Sequence, residues 1–137
     1  MADPRLKHWP KELQDELEAN RYYPCVGTTL VSETERVRVW HLVLPPGARA
    51  PFHRHVLDYF WTCHSQGKGE YYYEDGQIIE KPHFPGQTKQ LSIKAGEYMF
   101  HSVRNIGDTD LIFTTVEFMQ SANPPIALPD SIRAKAA

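Results

Sequence analysis

The chain has little sulfur chemistry available to it: two cysteines, Cys25 and Cys63, in 137 residues. Two thiols do not make a disulfide framework, and in a reducing cytosol they stay free. There is no large excess of either charge. Charged residues make up 23%, with the signs mixed, and the formal net charge is −2. No basic stripe gives a nucleic-acid partner an electrostatic footing. No apolar run approaches the ~20 residues that span a bilayer. The segment Met1 to Trp9 carries charge but no following apolar stretch, so it is not a secretory signal, and the cytoplasm is the default location. Internal repeats and low-complexity tracts are also missing. What remains is a chain of about one domain's length, enough for a hydrophobic core without disulfide help.

Eleven prolines, eight glycines and 12% aromatics suit a turn-rich β protein better than a helical bundle. One short helix is predicted over Trp9 to Asn20. Pro10 suits its first turn, Leu13 and Leu17 share a face, and Asn20 ends it. It is expected to pack on the outside of the domain. Beyond it the pattern turns to strands: Arg36 to Leu44, Phe52 to Cys63, a hairpin of Glu70 to Glu74 and Gln77 to Glu80 around Asp75-Gly76, then Thr88 to Ile93, Glu97 to Val103 and Leu111 to Phe118. Pro82 to Gly86 reads as a loop. Many short strands with no helices between them argue for an antiparallel sandwich or barrel. The organisation expected is an N-terminal helix and extension over 1–27, a barrel over 28–119, and a surface tail over 120–137 with one helical turn near Ser131.

The chemistry gathers in Gly47-Ala-Arg-Ala-Pro-Phe-His53-Arg-His55-Val-Leu-Asp-Tyr59. Histidines two apart on a strand point to one face, so His53 and His55 can both reach a single ion inside a barrel. The same parity carries Leu57, Tyr59, Trp61 and Cys63 inward and turns Asp58 away. A third histidine, His101, lies on a later strand, with Asn105 opening the next turn. These three histidines are the candidate metal ligands. Three neutral imidazoles with open positions suit a divalent first-row metal, and iron(II), zinc, nickel, manganese and cobalt all stay open.

Tyr59 is the candidate catalytic residue. Its phenol can ligate the metal, act as acid or base on bound substrate, or fill the barrel mouth with its hydroxyl on one buried partner. Asp58 either orients a ligand histidine or is solvated or paired with Arg54. Cys63 is a soft ligand or an inert buried thiol. His41 is inside if Val37, Val39 and Val43 are, and outside if Trp40, Leu42 and Leu44 are. His64 has outward parity and His83 sits in the predicted loop, so neither is a candidate. Arg49 is a surface charge or a contact for a substrate carboxylate. Among Tyr71, Tyr72 and Tyr73, alternation brings at least one toward the pocket or a dimer interface, and strand propensity alone also accounts for them.

At these residues the sequence resembles the cupin superfamily. The first cupin motif is a Gly, five residues, His-x-His, three or four residues, Glu, six residues, Gly. Gly47 and His53-x-His55 fit it in register, and Gly67 or Gly69 closes it. The second motif ends in His-x-x-x-Asn, matched by His101 and Asn105, and Asn105-Ile-Gly-Asp-Thr-Asp-Leu-Ile-Phe is similar to the usual cupin turn and final strand. The resemblance spans about residues 36 to 118 and departs in two places. Where the Glu belongs, this chain has Tyr59 or Phe60, with Asp58 one residue early, and no Pro-x-Gly turn precedes His101. The run His-Arg-His-x-x-Asp-Tyr is similar to a set of small bacterial cupins, some associated with β-alanine breakdown.

The resemblance implies an all-β fold, an antiparallel barrel of the double-stranded β-helix or jelly-roll type with a short N-terminal helix. It also implies a divalent transition metal acting on a small organic molecule. Three-histidine cupins without the Glu resemble the thiol and diketone dioxygenases, which puts iron(II) and O2 chemistry first. Zinc, nickel or manganese in lyase or isomerase chemistry, and a non-catalytic binding or sensing domain, are the alternatives. A homodimer that extends its sheets across an interface is the family-level expectation, with residues 28 to 44 as the pairing region.

Overall fold

Among the described residues nine strands build two antiparallel sheets: β1 (Thr29–Glu33), β2 (Val37–Leu44), β3 (Arg49–His55), β4 (Tyr59–Cys63), β5 (Gly67–Tyr73), β6 (Ile78–His83), β7 (Thr88–Leu91), β8 (Met99–Asn105) and β9 (Leu111–Phe118). The five-stranded sheet runs β1-β2-β9-β4-β7 and the four-stranded sheet β3-β8-β5-β6. The computed structural model describes residues 3–136, with side chains over 3–133. Positions 1, 2 and 137 of the predicted end segments lie outside the described residues. The sheets face one another as a jelly roll, without a continuous ring of hydrogen bonds closing them into a strict barrel. Leu42, Leu44, Cys63, Leu111 and Phe113 of one sheet pack on Ala50, Tyr71 and Val103 of the other. No helix among the described residues is long and apolar enough to cross a membrane.

The helix α1 runs Lys11–Ala19, two residues shorter at its start than the sequence predicts. Trp9 belongs instead to the core, because Pro10 takes an extended ψ of 147° and starts the helix after itself. Leu17 is fully buried, in a cluster with Leu6, Trp9, Phe52, Tyr72 and Phe100 between α1 and the outer side of the four-stranded sheet. The predicted tail does more than run over the surface. Leu128 is buried with Cys25, Val26, Leu30 and Trp40 before α2 (Asp130–Ala136) begins.

The expected single strand Phe52 to Cys63 is in fact two strands in different sheets, with Val56, Leu57 and Asp58 carrying the chain across. Inward parity survives the crossing: Leu57, Tyr59 and Cys63 are buried. A second departure lies earlier. On β3, Ala50 pairs with Val103 but His53 pairs with His101, so β3 holds one extra residue, a bulge at Pro51-Phe52. Without it, even-numbered residues would continue to face the interior after Ala50. With it, Phe52 turns out toward α1 while His53 and His55 turn in.

The predicted loop at Pro82 is also a strand. Pro82 sits on β6, which has β5 on one side only, so its missing N–H costs no ladder bond. The Asp75-Gly76 hairpin forms as expected, with Gly76 at φ 91° and its nitrogen donating to Tyr73.

Candidate metal centre

The bulge that aims the histidines is held from outside. A bulge leaves backbone groups without ladder partners, and buried ones need substitutes. The Phe52 N–H donates to Glu16 Oε2 at 3.1 Å, and the Phe52 carbonyl accepts from Asn20 Nδ2 at 3.1 Å, both partners at the end of α1. Arg49 fixes the same carboxylate through two bonds of 2.7 Å and also donates to Ser102 Oγ at 2.7 Å. Burial works to raise the Glu16 pKa, but the bonds from Arg49 and from the Phe52 N–H outweigh it and hold the group below its ordinary range. Arg49 is therefore a fastener between α1 and β3, and its guanidinium is spent on Glu16.

Inside, the ring nitrogens of His53, His55 and His101 lie within 4.8 Å of one another. His53 and His101 are directly paired across β3 and β8. His53 Nδ1 donates to the Pro51 carbonyl at 2.7 Å, which leaves Nε2 with the free lone pair. Burial lowers the His53 pKa to about 4. Burial also pushes His55 and His101 well below the usual value, with repulsion from the neighbouring histidines second. At neutral pH all three rings are therefore uncharged and able to donate lone pairs. The Nδ1 atoms of His55 and His101 are buried without a partner among the described residues. Buried polar atoms are ordinarily satisfied, so converging neutral imidazoles with unmet nitrogens fit a divalent metal ion.

Tyr59 stacks on His55 with ring centroids 4.1 Å apart and 13° between planes, which fixes that imidazole's orientation. Its hydroxyl has no hydrogen-bond partner among the described residues, and its ring lines the cavity around the histidines. Burial, with Glu117 and Tyr73 adding to it, pushes the phenol pKa up. The cavity is small, about 390 Å³ with its opening included, and Trp61, Tyr71, Val103, Phe113 and Thr115 form much of its wall. Trp61 meets Phe113 edge to face at 5.2 Å.

Several candidates lie elsewhere. Asp58 neither orients a histidine nor pairs with Arg54; its Oδ1 accepts from the Ile93 N–H at 2.8 Å. Arg54 instead lies over the rings of Tyr22 and Tyr98, at 4.3 and 3.8 Å. Cys63 is fully buried, with its thiol on the Ser65 carbonyl, as an inert packing group. His41 is exposed, because Trp40, Leu42 and Leu44 are the inward residues of β2. Asn105 is fully buried and ties its own turn to β2: Nδ2 donates to the carbonyls of Leu44 and Thr109, and Oδ1 accepts from Gly107.

Two residues near the cavity escape a reading of the sequence. His83 is buried at the end of β6, with Tyr71 Oη at 2.9 Å from its Nε2 and Gln87 Oε1 at 2.7 Å from its Nδ1. Its loop assignment hid it; inward parity with Lys81 on an edge strand is the signal that finds it. Glu117 is buried on β9, directly opposite Tyr59, and accepts from Trp40 Nε1 at 2.8 Å. Burial pushes its carboxyl up to about 7. An acid in the inward series Leu111, Phe113, Thr115 is a visible anomaly in the sequence.

Solved structures with a similar fold exist. The chain is similar to a cupin domain from Bordetella pertussis Tohama I, at 27% identity and a TM-score of 0.58, covering 66% of this chain and 88% of that one. A protein with a double-stranded β-helix domain from Klebsiella pneumoniae aligns at 25% identity and a TM-score of 0.53, covering 69% and 76%. An RmlC-like cupin family protein from Methanocaldococcus jannaschii, at 21% identity, covers 66% and 76% with a TM-score of 0.50 and shares the fold. No family model matches the sequence, and no curated protein sequence is similar to it.

Proposed function

The chain belongs to the cupin superfamily, and from that premise we propose that it is a metal-dependent enzyme of small-molecule metabolism, an iron(II) dioxygenase in the first instance. His53, His55 and His101 are the ligands in this reading. The observation that carries it is the convergence of three neutral imidazoles within 4.8 Å in a small, largely apolar cavity. These three histidines would hold a divalent ion through neutral nitrogens, a donor set that suits first-row metals. A bound iron(II) supplies the redox chemistry that O2 needs; zinc in the same place supplies Lewis-acid chemistry for a lyase or isomerase.

The protein's own part is positioning and exclusion. Tyr59 holds His55 by stacking, and its partnerless hydroxyl would donate a hydrogen bond to a substrate bound in the cavity that its ring lines. Trp61 and Phe113 keep bulk water from the reacting groups.

Metal analysis of protein purified without a histidine tag tests this, beside a His53→Ala/His55→Ala double variant. Near-stoichiometric metal in the parent and its loss in the variant is the expected result. Iron with substrate-dependent O2 uptake supports the dioxygenase; zinc without O2 uptake moves the reading to a lyase or isomerase. Failure to take up iron(II), zinc, nickel or manganese overturns the enzyme reading.

The proposal extends to a homodimer. β1 (Thr29–Glu33) is an edge strand of the five-stranded sheet, so its open side is available for a second copy to extend the sheet across an interface. Light scattering should give twice the 15.8 kDa chain mass; a monomer mass at working concentration rejects the dimer.

A further inference from the structure

The cavity has an imbalance of charge that points to its ligand. Its wall includes the three histidines, together with tyrosines, Thr115 and apolar side chains, and no carboxylate. Asp58 accepts from the Ile93 N–H, and Glu117 lies beside Tyr59 with its carboxylate turned to Trp40 Nε1, outside the cavity lining. A divalent ion on three neutral imidazoles would keep its whole charge in a poorly solvated place, and such charge is stable only with a counter-charge close by. Among the residues lining the cavity nothing supplies one.

At the edge of the same cavity, outside its lining and against the Tyr71 ring and His101, the protein adds a cation and a hydroxyl. Lys81 on β6 is opposite Gly69 on β5, so it shares the inner face with Tyr71 and Tyr73. A Cβ at Gly69 would come within 3.0 Å of Tyr71 Cε1 and 3.1 Å of Val103 Cγ2; a glycine there leaves the space open. The Lys81 ammonium lies 4.9 Å from the centroid of the Tyr71 ring, which lines the cavity, and 5.8 Å from that of Tyr73. Its Nζ donates to the Tyr73 hydroxyl at 3.1 Å. Lys81 forms no ion pair among the described residues, although the neighbouring Lys68 pairs with Glu80. An ammonium has three donors, and one is used here, so two remain. The Tyr73 hydroxyl accepts from Lys81 and keeps its own proton for donation.

We propose that the cavity's ligand is a small organic anion, and that Lys81 and the Tyr73 hydroxyl hold its negative group. The charge-balance half of the argument rests on the metal reading above; the Lys81–Tyr73 half does not. The Tyr71 ring, by cation–π attraction, and the Tyr73 hydroxyl, by its hydrogen bond, hold the ammonium in place, so the ligand meets a preset donor pair rather than a mobile lysine. A carboxylate of a few carbons matches the size of the cavity.

The test is an amide-resolved NMR titration of the full chain with propionate and with propionamide, its neutral isostere, on metal-free and zinc-loaded protein. In the metal-free parent, propionate is expected to bind at least ten-fold more tightly than propionamide, with shifts centred on Tyr71, Tyr73 and Lys81. Lys81→Met should erase that preference and Lys81→Arg should keep most of it. Tyr73→Phe, which leaves the packing intact, should weaken propionate several-fold without changing propionamide. Equal binding of the two probes by the metal-free parent overturns the proposal, as does a preference that survives Lys81→Met. Zinc uptake is read on the same samples. A propionate preference in protein that takes up no metal supports the anion site while removing the metal reading.

Discussion

Glu117 gives the sharpest quantitative test of how this interior treats charge. Its carboxyl is 3% exposed, between Trp40 and the strand partner Tyr59, and burial raises it to about 7 from an ordinary 4.5. The folded state therefore holds this proton over a range where the unfolded chain has lost it. Stability from this group is full below pH 4.5 and is lost as pH rises through 7. Linkage over that gap puts the loss between pH 5 and pH 8 at roughly 2 to 3 kcal/mol. His53 has the opposite sign. Its folded value near 4 lies below the ordinary 6.5, so its contribution is present above 6.5 and is lost as pH falls toward 4. Between pH 7 and pH 5 it costs about 2 kcal/mol, while Glu117 regains about the same. The metal-free parent is thus expected to show a shallow profile made of opposed slopes. Glu117→Gln keeps the acceptor for Trp40 and removes one of them. In urea unfolding with chelator present, the variant should lose about 2 kcal/mol or more from pH 7 to pH 5, with His55 and His101 adding to His53, and should no longer weaken from pH 7 to pH 8. Any constant offset from placing an amide there cancels when slopes are compared. Parallel parent and variant curves across pH 5 to 8 would refute the reasoning, since Glu117 would then be ionising as it does in water.

Three further substitutions probe the scaffold and the site. Glu16→Ala leaves Arg49 without its carboxylate and the Phe52 N–H without an acceptor, so it should cost about 3 kcal/mol in chemical unfolding; it should also weaken zinc binding in a competition titration, though Glu16 touches no ligand histidine. Asn105→Ala removes three hydrogen bonds from a fully buried residue and should cost about 2 to 4 kcal/mol in the same assay, with metal stoichiometry unchanged. Tyr59→Phe keeps the stacking on His55 and is expected to take up metal like the parent while turnover falls at least ten-fold; undiminished turnover would remove Tyr59 from the chemistry.

Much of the fold is legible because strand periodicity and turn residues are local signals. The alternation of Val37 to Leu44, the Asp75-Gly76 turn and the series Leu111 to Phe118 each describe a segment without reference to any other. The failures come where local and long-range information part. Nothing between Phe52 and Cys63 announces a change of sheet, because Val56-Leu57-Asp58 has neither glycine nor proline. Pro82 suggests a loop until one knows that β6 lies at an edge. Arg49 and Asp58 look like site residues because they adjoin the histidines in sequence, yet their partners, Glu16 and Ile93, are 33 and 35 positions away. Lys81, His83 and Glu117 approach the cavity from strands remote in sequence, and only the pairing of those strands reveals it.

The histidine pair shows the same division at its most consequential point. His-x-His on a strand correctly says that two imidazoles share a face, but not which face. From Ala50 inward, strict alternation would have put Phe52 inside with Arg54, and His53 and His55 against α1. The bulge at Pro51-Phe52 reverses this, and it is stable because α1 supplies Glu16 and Asn20 to the two backbone groups of Phe52 while the Phe52 ring fills the apolar cluster beneath the helix. Burying that ring contributes about 1.5 to 3 kcal/mol, enough to offset the lost ladder bonds. The N-terminal helix is thus part of the machinery that points the histidines inward, and Glu16 acts on the site without being in it. A chain with the same histidines but no acceptor at the Phe52 N–H would have little reason to keep the bulge, and its imidazoles would have no common point to meet.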